Sequence, residues 1–331
     1  LYTSGSTGQP KGVELKHRGL VNYVHQLAAK TMLEPGDRVL QFANLSFDIA
    51  LEETFSALTS GATLVLRRPA MADDMRAFTA GCAELEITYL SLPTAWWHEL
   101  CHELETGSVT LHDSLRMVLI GGEKAGIQAF RQWRRRAGTR VRLINTYGPT
   151  EGSIACTWSE LTYLDENFAG ELPIGRPVPN TRGWVLDENG APLPAGLPGE
   201  IAIGGIGVAR GYRGQPGLTR ERFIADRLGG AEGEQLYRTG DRARYTDAGQ
   251  LHYLGRVDTQ VKLRGHRIEP GEIESVLAKL TGVDAVAVVV HADHDQDAQL
   301  VAYVQGARKA DELRAELTLS LIHISEPTRH I

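Results

Sequence analysis

The feature that most constrains this chain is an alternation of two textures between residues 63 and 145. Apolar runs of strand length at 63–66, 87–91, 117–120 and 141–145 are separated by helical patterns near 75–85, 94–104 and 126–136. Strands and helices alternating at these lengths predict an α/β fold with a parallel sheet, because each crossover between parallel strands needs a helix to carry the chain back. After Gly175 the texture changes to short strands punctuated by Gly and Pro, at 183–186, 199–203 and 250–254, which predicts a more antiparallel β-rich subdomain. A third texture follows Arg256. A strand at 260–264, a helix at 271–280 and strands at 284–291 and 300–304 predict a small α+β domain, joined through residues 255–258. No internal repeat is visible.

Composition bounds what such a fold can do. With 331 residues, 42% of them hydrophobic and 23% charged, the chain can bury one large and one small core. A net charge of -6 offers no footprint for nucleic acid, and the one dense basic run, 131–136 with Trp133 inside it, reads as the outer face of a helix. Cys82, Cys101 and Cys156 lie far apart with no CxxC pairing, which suggests neither a zinc site nor a disulfide framework and suits a reducing cytoplasm. No apolar stretch approaches the roughly 18 residues of a membrane span, and no signal peptide opens the chain. The expectation is a cytoplasmic protein with neither a membrane nor a nucleic-acid partner.

Both ends are unusual. The chain opens on Leu1, directly at a glycine-rich loop without the strand that ordinarily scaffolds one, so an amino-terminal part of the large domain is expected upstream. Residues 319–329 look like the in-frame translation of a sequencing adapter, and 319–331 are expected to be foreign to the fold.

Four clusters carry chemistry. In Tyr2-Thr3-Ser4-Gly5-Ser6-Thr7-Gly8-Gln9-Pro10-Lys11-Gly12, small hydroxyl residues interleaved with glycines let backbone N–H groups and hydroxyls approach phosphate oxygens, and Lys11 adds a compensating charge. A glycine-serine linker is the plainer reading of that loop alone, and its spacing is not that of an ordinary P-loop. Asn145-Thr146-Tyr147-Gly148-Pro149-Thr150-Glu151 follows an apolar strand at its carboxyl end, where ligands of open α/β sheets collect. It offers an amide for a base edge, an aromatic face, a hydroxyl for phosphate and a carboxylate for Mg2+, or else a simple turn. Tyr237-Arg238-Thr239-Gly240-Asp241 puts an acid where it could accept both hydroxyls of a ribose; the bland alternative is a capped turn with a surface carboxylate. The fourth runs from Gly255-Arg256-Val257-Asp258 to Glu274 and, taken alone, reads as a solvated strand-turn-helix.

In this order and spacing the four clusters resemble the core motifs of the adenylate-forming, AMP-binding superfamily. The wording Asn-Thr-Tyr-Gly-Pro-Thr-Glu and Arg-Gly-His-Arg-Ile-Glu-Pro-Gly-Glu-Ile-Glu is similar to that of nonribosomal peptide synthetase amino-acid adenylation domains, over residues 1 to about 318. The resemblance implies an adenylation core at 1–257, lacking its amino-terminal part, and part of a mobile carboxyl-terminal subdomain at 258–318. It implies ATP, Mg2+ and a peptidyl carrier protein bearing phosphopantetheine. Thr3, Ser4, Gly5, Ser6, Thr7, Gly8 and Lys11 would form the ATP phosphate loop. Gly122 and Glu123 would line one side of the adenine, Tyr147 would stack on it, and Asn145 would bond its amino edge. Asp241 would take the ribose hydroxyls, Lys262 would be a ribose-side contact, and Arg256 would lie near ribose and phosphates. Thr150 would face the α-phosphate, Glu151 would hold Mg2+, Asp258 would be the hinge, and residues 265–268 would swing in for a second half-reaction.

The same resemblance makes Asp48 the holder of a substrate α-ammonium, and Ile49, Glu52, Ser91, Leu119, Gly121, Thr146, Ile154 and Ala155 the wall of the side-chain pocket. One carboxylate dominates that wall. A buried Glu is costly unless paired, so the simplest substrate is a basic amino acid such as ornithine or lysine. The alternative has Glu52, with Glu53 beside it, facing solvent or a backbone donor; cysteine or another small polar amino acid is the other substrate weighed. The family's catalytic lysine lies beyond the last residue of this chain, and Lys309 is not its substitute, which implies impaired catalysis for the fragment. A stand-alone acyl-CoA or aryl-acid ligase shares the nucleotide motifs but has no ammonium for Asp48 to hold. A nucleotide-binding remnant without activity is the third reading.

Overall fold

In the computed structural model, which describes residues 1–4, 10–257, 261–263, 266–291 and 299–320, the chain separates into two units. The large one is Gly12–Val257 with Leu1, and the small one is Asp258–Ile331 with Tyr2–Lys11. Two short strands, β1 (Tyr2–Thr3) and β2 (Lys11–Gly12), flank the glycine-rich loop.

The large unit then runs α1 (His17–Thr31), β3 (Arg38–Gln41), α2 (Ile49–Thr59), β4 (Thr63–Leu66), α3 (Met75–Glu84), β5 (Tyr89–Pro93), α4 (Thr94–Thr106), β6 (Met117–Gly121), α5 (Ile127–Ala137) and β7 (Arg142–Tyr147). Its helices have identifiable ends. Asp74 caps α3 by accepting the Ala77 N–H at 2.8 Å, and α4 stops at Gly107, whose left-handed φ of 77° costs glycine nothing. The strands lie parallel in the order β4-β3-β5-β6-β7.

Period-2 alternation in these strands feeds two cores, one on each face of the sheet. Leu90, Leu92, Val118, Ile120 and Leu143 pack with Phe78 of α3, Trp97 and Leu100 of α4, and Phe130 and Trp133 of α5. Tyr89, Met117, Leu119 and Ile144 point the other way, to Tyr23 and Leu27 of α1 and Ala57 of α2. The basic run is an outer helix face as expected: Arg135 and Arg136 reach Glu105 of α4, while Trp133 between them is buried.

The expectation of an all-parallel sheet needs correction at one edge. β8 (Thr157–Glu160) and β9 (Arg176–Pro177) join antiparallel, giving a seven-stranded mixed sheet. The cause is local: the chain leaves β7 through a 3-10 turn, Thr150–Gly152, and doubles back without a helical crossover. Pairing with β8 also prolongs β7 to Tyr147, so Asn145, Thr146 and Tyr147 are strand residues and not the loop after a strand.

A five-stranded antiparallel sheet follows, in line with the predicted β-rich texture. It contains β10 (Thr181–Leu186), β11 (Gly199–Gly205), β12 (Phe223–Ala225), β13 (Gln235–Tyr245) and β14 (Leu251–Arg256), with α6 (Pro216–Arg222) before β12. Among the described residues of the small unit are β15 (Val261–Leu263), β16 (His266–Ile268), α7 (Pro270–Leu277), β17 (Val283–His291), β18 (Gln299–Gly306) and α8 (Ala310–Ser320). Ile268, Ile273, Leu277, Val288 and Leu313 form its core. No helix among the described residues is long and apolar enough to cross a membrane.

Candidate active site

The carboxyl ends of β5, β6 and β7 and the start of α2 bring most of the expected pocket residues into one region of the large unit. Asp48 and Glu52 are four apart, which sets both carboxylates on the same face of α2. Asp48 stands at the N-cap, and its Oδ2 accepts a hydrogen bond from the Thr150 hydroxyl at 2.8 Å. The residue expected to hold an ammonium thus touches the one expected to face an α-phosphate. Burial is the main reason the Asp48 carboxyl is pushed up to about 6, with the Glu151 charge adding to it and the Thr150 bond opposing it.

Glu52 is fully buried. Its two oxygens are held by neutral donors from two different elements: the Tyr23 hydroxyl of α1 on Oε2 at 2.5 Å and the Ser91 hydroxyl of β5 on Oε1 at 2.7 Å. Burial pushes its carboxyl up to about 7, against the pull of both hydroxyl donors. Glu52 is shut off from solvent and among the described residues no backbone donor meets its carboxylate, so that alternative is overturned for this residue. It fits its neighbour instead, because Glu53 turns the other way and accepts from the backbone N–H groups of Phe42 and Ala43 and from Gln41. Burial pushes Glu53 up to about 8.

The remaining pocket positions are apolar or small. Leu119, Ile154 and Ala155 belong to the same core cluster as Tyr23, with Ile49 packed against it. Gly121 sits so close to Thr146 that a Cβ there would lie 2.5 Å from the Thr146 hydroxyl oxygen. Thr94 ties down the segment after β6 by donating to the Gly121 and Glu123 carbonyls at 3.0 and 3.2 Å, and Gly122 between them takes a left-handed φ of 89°. Gly148 is pressed against the returning chain, where a Cβ would meet the Ala155 Cα at 2.5 Å.

Among the residues expected to meet the nucleotide, the Asn145 amide donates to the Pro173 carbonyl at 2.9 Å, while its side-chain oxygen is buried with no partner among the described residues. An unpaired buried acceptor is expensive, and an exocyclic amino group of a purine is a donor that would satisfy it. Asp241 is buried in the middle of β13, which removes the reading of its cluster as a turn with a surface carboxylate. Its oxygens are already engaged: Oδ2 accepts from the Tyr147 hydroxyl at 2.7 Å and Oδ1 from Arg256 at 2.9 Å. Arg256 also donates to the Thr239 carbonyl at 3.1 Å. Tyr147, Asp241 and Arg256 therefore form one hydrogen-bonded set within the large unit.

Glu151 is fully buried and accepts from the Tyr212 hydroxyl at 2.7 Å, with the Tyr237 hydroxyl 3.3 Å from that of Tyr212. No group of three or more His, Cys, Asp or Glu that could cage a metal exists among the described residues. A single carboxylate suits Mg2+ arriving with a nucleotide, because that ion keeps its waters and takes the rest of its shell from phosphates.

The other expected residues belong to the small unit or are not described. Thr3, Ser4 and Lys11 are grouped with the small unit, Lys262 lies on β15, and Gly5, Ser6, Thr7, Gly8 and Asp258 are outside the described residues, as is Gly265. Sequence reasoning missed Tyr23, Tyr212 and the partner role of Tyr237. Tyr23 had no signal beyond an aromatic in a helical stretch, whereas Tyr212 ends the glycine-rich string Gly-Val-Ala-Arg-Gly-Tyr, which invited attention.

Parallel strands whose carboxyl ends gather nucleotide-type groups define an α/β nucleotide-dependent enzyme fold. The model of the AMP-binding enzyme family matches residues 1–213, and the chain belongs to that family. It is 44% identical over 331 aligned residues to an isonitrile lipopeptide synthase of Streptomyces coeruleorubidus, covering 97% of this chain and 22% of that protein. Its fold is similar to that of NpsA-ThdA, an artificially fused adenylation-PCP di-domain nonribosomal peptide synthetase from Klebsiella oxytoca, at a TM-score of 0.83 and 29% identity over 96% of this chain and 62% of that one. It is also similar to the Vibrio cholerae adenylation domain AlmE in complex with glycyl-adenosine-5'-phosphate, at a TM-score of 0.83 and 28% identity over 97% of this chain and 60% of that one. The chain thus spans about a fifth of the first of these proteins and about three fifths of the two solved structures.

Proposed function

We propose that this chain is the amino-acid-activating part of a nonribosomal peptide synthetase, which joins a basic amino acid, ornithine or lysine, to AMP with release of pyrophosphate. The aminoacyl group would then pass to the phosphopantetheine thiol of a carrier protein. The observation that carries the reading is the charge pattern of α2. Asp48 meets Thr150 at the end of β7, and one helical turn deeper Glu52 is a buried carboxylate bonded, among the described residues, only to neutral hydroxyls. A substrate with an ammonium at its α-carbon and a second cation at the end of its side chain complements both acids. The likeness to an adenylation domain holding an aminoacyl adenylate and to an adenylation-PCP fusion supports the reaction and the partner.

The roles follow from the residues. An arriving α-ammonium competes with the Thr150 hydroxyl for Asp48, and the released hydroxyl turns to the α-phosphate, where charge grows as the substrate carboxylate attacks in line and pyrophosphate leaves. The Asn145 side-chain oxygen accepts from the adenine amino group. Tyr147 and Arg256 hold the Asp241 carboxylate, which keeps one lone pair on each oxygen for the ribose hydroxyls. Glu151 would hold Mg2+, which when bound supplies positive charge to the phosphates. Tyr212 keeps that carboxylate from swinging away.

The test is amino-acid-dependent exchange of labelled pyrophosphate into ATP by the full-length protein, across ornithine, lysine, arginine, cysteine and a fatty acid. Exchange with a basic amino acid is the expected result. Exchange with cysteine alone would keep the reaction and reject the substrate class. Exchange with the fatty acid alone would move the protein to the acyl-CoA ligases, and none at all would leave a nucleotide-binding remnant.

A further inference from the structure

Glu52 lies on the wall expected from the family pattern, but the residue that fixes its position comes from outside that wall. Tyr23 of α1 is buried, and it supplies the donor on Glu52 Oε2. Ser91 supplies the donor on Oε1. Among the described residues no lysine, arginine or histidine forms an ion pair with Glu52. Two neutral donors orient a carboxylate without cancelling its charge, and each oxygen keeps a further lone pair for an incoming cation.

A tyrosine that only filled space in this core would not need its hydroxyl. Phenylalanine has nearly the same shape, and a buried Tyr-Glu contact is costlier to keep than an apolar pair unless the carboxylate is used. Resting on the basic-substrate reading above, we propose that Tyr23 is a positioning residue for substrate selection, holding Glu52 in the geometry that distinguishes a cationic side chain from a neutral one of the same length. Without the hydroxyl, Oε2 is left desolvated and unpaired. The carboxyl then favours its protonated form, which has no charge with which to prefer an ammonium over a methyl.

The experiment compares the full-length protein with its Tyr23→Phe, Glu52→Gln and doubly substituted variants, using pyrophosphate exchange with the preferred basic amino acid and with norleucine as its uncharged counterpart. Tyr23→Phe is expected to raise KM for the basic amino acid about tenfold or more, the worth of a hydrogen bond to a charged group. It should lower discrimination against norleucine by the same factor and leave kcat and the KM for ATP within about twofold. On the Glu52→Gln background the same change should add nothing, because the two residues act as one unit. A 3-fluorotyrosine at position 23, a stronger donor with the fold intact, should shift KM the opposite way and decides the matter if the phenylalanine variant fails to fold. Unchanged discrimination in a wild type that prefers basic amino acids would overturn the role of Tyr23 alone. A joint fall in kcat, ATP binding and melting temperature would reduce Tyr23 to packing, as would equal effects with and without Glu52. A wild type that prefers no basic amino acid overturns both the substrate class and this role.

Discussion

If Glu52 and Asp48 hold a doubly cationic substrate, binding should depend on pH in a direction set by their surroundings. Among the described residues, the groups facing Glu52 are Tyr23 from α1, Tyr89 and Ser91 from β5, and Asp48 and Glu53 on its own helix. None is cationic, and burial pushes Glu52 up to about 7 and Asp48 to about 6. The free pocket therefore carries protons that a cation must displace, so affinity rises with pH and levels off above about 8. With Glu52 at about 7, roughly a tenth of it is ionised at pH 6 and nine tenths at pH 8. Asp48, half ionised at pH 6, contributes about another factor of two, so KM for ornithine or lysine should fall nearly twentyfold between these pH values.

The same shift has a cost in the empty protein. A carboxyl raised from 4.5 to about 7 on folding binds more protons folded than unfolded, so stability is lost as pH rises through that window, by about 3 kcal/mol at most for Glu52. Glu52→Gln removes that loss, and one hydroxyl can rotate to accept from the new amide N–H while the other donates to its carbonyl oxygen. The variant should melt above the wild type at pH 8, with the difference shrinking toward pH 5, while its KM for the basic amino acid loses the upper inflection. KM measured by pyrophosphate exchange from pH 5.5 to 8.5, beside calorimetric melts, tests both halves. A flat KM in the wild type, an inflection that survives in Glu52→Gln, or a stability difference independent of pH would each refute the reasoning.

Three further outcomes are expected. Asn145→Ala should raise the KM for ATP about tenfold without changing amino-acid selectivity, because it removes the unpaired acceptor; equal KM values would show that the oxygen meets no nucleotide. Gly152→Ala should destabilise the large unit by about 1–3 kcal/mol in a denaturant titration, since its Cβ would fall 2.2 Å from the Cys156 sulfur, and the double variant with Cys156→Ala should recover part of the loss. Tyr212→Phe should weaken Mg2+ binding, seen as a higher Mg2+ concentration for half-maximal exchange, with the melting temperature shifted by no more than a few degrees.

How much of this was legible from residues alone depends on the range of each interaction. The parallel strands and their helices could be read because period-2 and period-3.6 patterns are local, and β6 shows it directly: Val118 and Ile120 face one core while Met117 and Leu119 face the other. The antiparallel edge was not legible, because the return after Glu151 depends on left-handed backbone at Ser153 and Ile154, residues that carry no turn signature. At the site, motif wording picked out Asp48, Asn145, Thr150 and Glu151, all near strand ends or a helix start. The groups that condition them arrive from far along the chain. Tyr23 meets Glu52 across 29 positions, Tyr212 meets Glu151 across 61, and Asp241 meets Tyr147 across 94. In each case a tyrosine hydroxyl donates to a buried carboxylate, which is the least charged way to hold an acid in an apolar core. At Glu52 a lysine or arginine in place of Tyr23 would have neutralised the acid and left its charge unavailable to a cationic ligand, whereas Asp241 is also paired with Arg256, so a tyrosine alone leaves the acid its charge only where no such cation joins it.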